Sequence, residues 1–170
     1  PIISANWDFG DGQNSSILNP THIYAASGTY NVIVSITTQF GSGSSSRQII
    51  INPKPILIIN QTTLKQCDDD LDGYSSFNLL EANSLIVSNP SAVTFAYFET
   101  LQEAQDVTNE ILNTTNYTNQ VVNSDTLFVR VTNANGCYRI AQLDLIVSTT
   151  LIPSSFQKIY TECDNAISGS

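Results

Sequence analysis

Histidine is almost absent from this chain: His22 is the single one. A Ser-His-Asp or Cys-His nucleophile would have to run through it, and nothing near it in the sequence supports one. A zinc site built from several His and Cys lacks its ligands. Basic side chains are scarce too, 6 Lys and Arg against 15 Asp and Glu, for a net charge of -9. Nucleic-acid binding needs a basic footprint, so that partner class is excluded, whereas divalent cations suit the balance. No apolar run approaches the roughly 20 residues of a membrane span. A Gly-rich phosphate loop is missing as well. The chain has no methionine and starts on Pro1, which reads as a piece of a longer polypeptide. Any signal peptide, anchor or sorting tail is then expected outside it.

What is present points to a folded, exported chain. Only 12% of residues are charged while 41% are apolar, which separates it from disordered sequences. Ser, Thr and Asn fill about a third of the positions, favouring strands and turns. Three cysteines remain: Cys67, Cys137 and Cys163. Cys67 and Cys137 fall in one module and Cys163 opens the next, so a Cys67–Cys137 disulfide is the simplest accounting. It would close a loop of about 70 residues, which the chain-entropy estimate credits with about 4 kcal/mol. Such a bridge implies an oxidising, extracytoplasmic compartment. The alternative is a pair of buried thiols.

Residues 1–54 read as an all-β module. Asn6–Phe9 is a short strand running into Gly10-Asp11-Gly12, a tight-turn signal. Tyr30, Val32, Val34 and Ile36 alternate with polar residues as in a half-buried strand. Gly41-Ser42-Gly43 is expected to turn the chain and Arg47–Ile51 to return it. The segments Trp7-Asp8-Phe9-Gly10-Asp11-Gly12, Pro20-Thr21-His22-Ile23-Tyr24 and Gly28-Thr29-Tyr30-Asn31-Val32 resemble the PKD domain, an immunoglobulin-like β-sandwich. The resemblance implies that Trp7, Tyr24 and Tyr30 fill a core and that Asp8 and Asp11 hold the turn. It also implies strands before Trp7 that only six residues cannot supply, so the sandwich is expected to be N-terminally incomplete.

Asn52-Pro53-Lys54-Pro55 is a stiff linker. Residues 55–150 form the second module. Ile56–Ile59, Thr62–Lys65, Val93–Tyr97, Leu127–Val131 and Ala141–Val147 are strand-like. Asn78-Leu79-Leu80-Glu81 and Thr100-Leu101-Gln102-Glu103 have capping-box form and predict short helices. The pattern is a second immunoglobulin-like sandwich with short helical insertions. Residues 151–170 look like the first strand and turn of a third module, because Leu64–Asp69 aligns with Tyr160–Asn165, 96 residues later.

The densest chemistry lies in Cys67-Asp68-Asp69-Asp70-Leu71-Asp72-Gly73-Tyr74. Asp68, Asp70 and Asp72 stand at alternate positions before a glycine, the spacing by which a tight loop converges oxygen ligands on calcium. The carbonyl of Tyr74 would add a ligand. The Glu that closes an EF-hand loop is missing, since that position is Leu79. The competing reading is a solvated acidic turn. Separately, Asp125-Thr126-Leu127 resembles the Asp-Thr-aliphatic O-glycosylation motif of exported Bacteroidota proteins, which makes Thr126 a candidate acceptor.

The strand ending in Cys67-Asp68-Asp69-Asp70, then Phe77-Asn78-Leu79, Leu127–Val131 and Asn135-Gly136-Cys137, together resemble the tandem repeats of very large surface adhesins of gliding Bacteroidota, exported by the type IX system. That resemblance implies a non-enzymatic, semi-rigid stalk at the cell surface, serving adhesion or gliding. Its partners would be neighbouring modules and an extracellular surface or polysaccharide. The alternative is an accessory PKD-type spacer or substrate-binding region of a secreted hydrolase.

Overall fold

The computed structural model describes residues 1–68 and 70–148. Asp69 and residues 149–170, with the expected third module and Cys163, lie outside the described residues. The described chain divides into two compact units: Pro1–Pro55 with the Asn133–Cys137 turn, and Ile56–Thr132 with β-strand residues Tyr138–Ser148.

The first unit is an antiparallel sheet of β1 (Ile2–Asp8), β2 (Asn14–Ser15), β3 (Gly28–Thr38) and β4 (Gly41–Ile51), in the order β2-β1-β3-β4. The Asp-Gly turn after β1 forms as its residues require. Asp8 Oδ1 accepts from Gly10 N at 2.9 Å and Asp11 Oδ1 from Gln13 N at 3.1 Å. Gly10 has φ 78° and packs so closely on Asn31 that a Cβ would sit 2.8 Å from its carbonyl oxygen. The other carboxylate oxygen, Asp11 Oδ2, lies 2.7 Å from His22 Nε2. That bond from His22 holds the Asp11 carboxyl below its usual range. His22 therefore has a hydrogen-bonding role, and its ring stacks on Phe9 with centroids 4.0 Å apart.

Two expectations for this unit change. Gly41–Ser46 is strand, paired residue by residue with β3, and the turn lies earlier, at Thr38–Gly41. Thr38 Oγ1 closes it by accepting from Phe40 N and donating to the Gly41 carbonyl. A backbone ladder needs no apolar side chain, so an edge strand of Gly and Ser escapes period-two reading. Trp7, Tyr24 and Tyr30 are half-buried rather than buried, because the described residues of this unit make one sheet whose aromatic face has no second layer. Tyr24 and Tyr30 stack at 4.1 Å and donate to the carbonyls of Phe9 and Ala26, while the buried Trp7 Nε1 has no acceptor among the described residues.

The second unit is built on β5 (Gln61–Cys67), β6 (Ser76–Phe77), α1 (Asn83–Ile86), β7 (Val93–Phe98), α2 (Leu101–Asp106), β8 (Tyr117–Thr118), β9 (Ser124–Asn133) and β10 (Tyr138–Ser148). A four-stranded sheet runs β5-β10-β9-β7, and β6 pairs with β8. β9 and β10 form an antiparallel hairpin, whereas β5 lies parallel to β10 from Gln61↔Gln142 to Cys67↔Ser148. Alternation decides which face is buried. Leu127, Val129 and Val131 of β9, and Ala141, Leu143, Leu145 and Val147 of β10, point into one core. Phe77, Leu79, Ile86 and Tyr97 close that core from the other side of the chain. Burial raises the Tyr97 phenol well above its usual range, and its hydroxyl meets the Leu79 carbonyl and Asn83 Oδ1.

The capping signals act as their chemistry requires. Thr100 Oγ1 accepts from Glu103 N, and Glu103 Oε2 accepts from Thr100 N, a complete capping box for α2. Asn78 makes half of one: its Oδ1 accepts from Leu80 N ahead of the 3-10 turn Leu79–Ala82. Ile56–Ile59 is not strand; Ile58 N donates to the Ile86 carbonyl instead. The run after the two prolines lies outside the strands, with Ile56, Ile58 and Ile59 exposed and only Leu57 packed against the core, a case periodicity does not separate from strand. No helix among the described residues is long and apolar enough to cross a membrane.

Candidate functional site

The acidic stretch begins where β5 ends. Asp68 is only 8% exposed, and its carboxylate is held by the turn it opens. Oδ1 accepts from Leu71 N at 2.8 Å and Oδ2 from Gly73 N at 3.0 Å. Leu71 and Gly73 both take positive φ, 63° and 83°, which winds the chain tightly enough to bring those N–H groups back. Asp72 Oδ1 then accepts from Tyr74 N at 2.8 Å. Carboxylate oxygens of Asp68, Asp70 and Asp72 come within 4.8 Å of one another, so the three expected ligands converge. Tyr74 follows directly and is 40% exposed. The set is hard, anionic and all oxygen, which fits calcium better than a transition metal. Part of the Asp68 charge is already met by backbone donors, so the turn has its own means of standing closed.

What braces this turn was not expected. Asn119 is 1% exposed and sits behind it. Its Oδ1 accepts from Ser75 N at 2.8 Å, and its Nδ2 donates to the carbonyls of Gly73 at 3.0 Å and Val121 at 2.7 Å. Ser75 Oγ donates to the Cys67 carbonyl at 2.6 Å, tying the turn back to β5. Asn119 is one asparagine among many in this sequence, and no local spacing marks it.

The Cys67–Cys137 disulfide does not form: both cysteines are free. The reason is topological. Cys67 ends β5 level with Ser148, the last residue of β10, while Cys137 precedes Tyr138, the first. The length of β10 separates them, about 33 Å at the rise of an extended strand. A disulfide needs its Cα atoms within about 7 Å. Cys67 is exposed and Cys137 half-buried.

Thr126 lies exposed on β9, and its Oγ1 donates to Asp144 Oδ1 at 3.2 Å. Its neighbour Asp125 has another task. Asp125 Oδ2 accepts from Gln120 N and stands 3.0 Å from the Tyr117 hydroxyl, which also lies 2.7 Å from Glu99 Oε1. One hydroxyl hydrogen serves only one carboxylate at a time. Burial first, and Asp125 and Glu103 with it, raise the Glu99 carboxyl above its usual range. A raised folded-state value means the folded unit holds the proton more firmly than the unfolded chain. That contribution is complete below the unfolded value and is lost as pH rises through the folded one. Glu99→Gln, which stays neutral, should therefore gain stability relative to the parent as pH climbs from about 4 to 7. Chemical denaturation across that range checks it; a constant difference refutes the coupling.

Residues 63–153 match the family model described as the Flavobacterium inter-domain disulphide bond domain. The chain belongs to this family. Residues 1–52 match the PKD domain. With the sheets described above, these matches place the chain in the all-β, immunoglobulin-like sandwich class. Among curated proteins it is similar to collagenase ColA of Bacillus cereus, 31% identical over 52% of this chain and 8% of that protein. It is 38% identical to a microbial collagenase of Vibrio alginolyticus over 29% of this chain and 6% of that one. The chain thus spans less than a tenth of these relatives' length. Among solved structures, the PKD1 domain of the Vibrio cholerae metalloprotease PrtV is 35% identical, with 31% of this chain and 67% of that one covered at a TM-score of 0.30.

Proposed function

We propose that this chain is a non-catalytic, extracellular spacer segment, joined to its neighbours by disulfides between modules. The observation that carries this is the order of its two matches, a PKD domain followed by a domain whose family is described by an inter-domain disulphide. Free cysteines in the second unit fit the same reading, because they leave both thiols for partners outside it. An oxidising location outside the cytoplasm follows from that chemistry. Collagenases and a metalloprotease among the relatives favour an accessory region of a secreted hydrolase, holding or presenting a catalytic domain elsewhere in a longer chain. The recurrence of the Cys67 motif at Cys163 favours a second reading, a repetitive adhesin stalk at the cell surface, exported by the type IX system and serving adhesion or gliding. Its partners would be neighbouring modules and an extracellular surface or polysaccharide.

Removing residues 1–148 from the full-length exported protein separates the two. In an accessory region, hydrolysis of a small soluble substrate persists while attack on an insoluble one falls. In a stalk, attachment of cells to a surface falls and there is no hydrolysis to lose. Robust hydrolysis by the isolated segment overturns both.

Calcium held by Asp68, Asp70 and Asp72, with the Tyr74 carbonyl, belongs to this proposal, as does a glycan on Thr126. At a calcium concentration ten times the dissociation constant, binding would stabilise the second unit by about 1.4 kcal/mol. EDTA should then lower its melting temperature by roughly 5–10 °C. An unchanged melting temperature removes the ion from the turn. Intact-mass measurement of the exported protein and its Thr126→Ala variant tests the glycan; equal masses, after allowing for the substitution, exclude it.

A further inference from the structure

We propose that Cys67 bonds to the turn cysteine of the module that follows, the residue matching Cys137, and not to that module's own Cys163. This rests on the inter-module cross-link proposed above and specifies its partner. The argument is one of poles. Because β5 and β10 are parallel, both start at one end of the unit and finish at the other. The chain enters by the starting end and leaves by the finishing end. Cys67 closes β5 opposite Ser148, so it marks the exit pole. Cys137 stands just before Tyr138 in the β9–β10 turn, so it marks the entry pole. In a run of such modules, the exit of one copy is followed by the entry of the next. Cys67 therefore meets a Cys137-type residue. Cys163 aligns with Cys67, which makes it an exit-pole residue, one module length away.

Two features support the exit-pole assignment. Cys67 is exposed, on the edge strand of its sheet. The following turn is fixed by Asp68, Asn119 and Ser75, and Ser75 binds the Cys67 carbonyl itself, so the thiol is carried on a braced strand end.

The chemistry balances with one oxidant class, the disulfide of an extracytoplasmic thiol–disulfide oxidoreductase. The Cys67 thiolate attacks that disulfide and forms a mixed disulfide with it, releasing one oxidoreductase sulfur as a thiolate. The turn cysteine's thiolate of the next module then displaces the second oxidoreductase sulfur. One S–S bond forms between modules, two protons leave the module thiols, and the oxidoreductase is left as its dithiol.

The test uses the full-length exported protein, alkylated without reduction, digested and mapped by mass spectrometry. The expected product joins the Cys67 peptide to the peptide holding the turn cysteine of the next module. A Cys67–Cys163 link overturns the pairing but leaves the cross-linked spacer standing. Cys67 found alkylated, in a protein without any link between modules, overturns both. Cys67→Ser in the full chain should expose one new thiol, on the next module's turn. A bond that moves onto Cys137, or no new thiol, refutes the pairing.

Discussion

Asn119→Ala should destabilise the second unit by about 2 kcal/mol. The side chain is 1% exposed and joins three backbone groups, Ser75 N, Gly73 O and Val121 O. Truncation leaves Ser75 N without a partner where water does not replace it, while the Gly73 and Val121 carbonyls keep their bonds from Asn123 N and Ser124 N and lose only a second donor. Each unpaired buried group costs roughly 1–3 kcal/mol, offset in part by relaxation of the loop. Chemical denaturation should show the loss as a lower midpoint at unchanged slope. Asn119→Asp distinguishes a specific brace from simple packing. It keeps the acceptor for Ser75 N but sets a buried carboxylate oxygen against the Gly73 and Val121 carbonyl oxygens, so it should cost at least as much as alanine. A loss under 1 kcal/mol in both variants would mean that the turn does not depend on this residue.

Gly73→Ala should cost about 2–3 kcal/mol, for two separable reasons. Gly73 has φ 83°, and a Cβ there would sit 2.5 Å from Val122 Cγ1 and 3.0 Å from Asn123 Oδ1. Conformation alone accounts for about 1 kcal/mol, and the clash supplies the rest. Gly12 calibrates the first part: its φ is 88°, with nothing within 4 Å of the added atom. Gly12→Ala should cost about 1 kcal/mol. Adding Val122→Ala to Gly73→Ala should recover about half of the loss, a coupling that a double-mutant cycle measures. Additive effects of the two substitutions would show that the neighbouring loop simply moves aside.

The parts of the fold that were legible in the sequence are those where a local pattern has one physical solution. Alternation at Leu127–Val131 and Ala141–Val147 fixes the buried face of β9 and β10. Thr100 and Glu103 specify a helix start, and Asp8 and Asp11 a turn, through bonds that span two or three residues. Asp68, Asp70 and Asp72 converge because the turn is equally local. What stayed hidden depends on partners distant in sequence. The Gly-Ser strand β4 exists because β3 offers it a ladder. The cysteine pairing failed because counting residues carries no information on strand direction, and β5 lies parallel to β10. Asn119 escaped because its partners at Gly73 and Ser75 lie more than forty residues earlier.

That parallel pair bears on how the unit carries load. Tension applied through Ile56 and Ser148 pulls the first and last strands of the sheet in opposite directions along their own axes. The bonds of the Gln61–Cys67 register are evenly spaced and lie across the pull, so they must yield together in shear rather than open one by one from an end. A cross-link at Cys67 would take up force at the end of this register, where the chain leaves the unit. Single-molecule extension should show one high rupture force for the unit. A pull between the ends of β9 and β10 at the mouth of their hairpin should peel the same sheet apart at a much lower force.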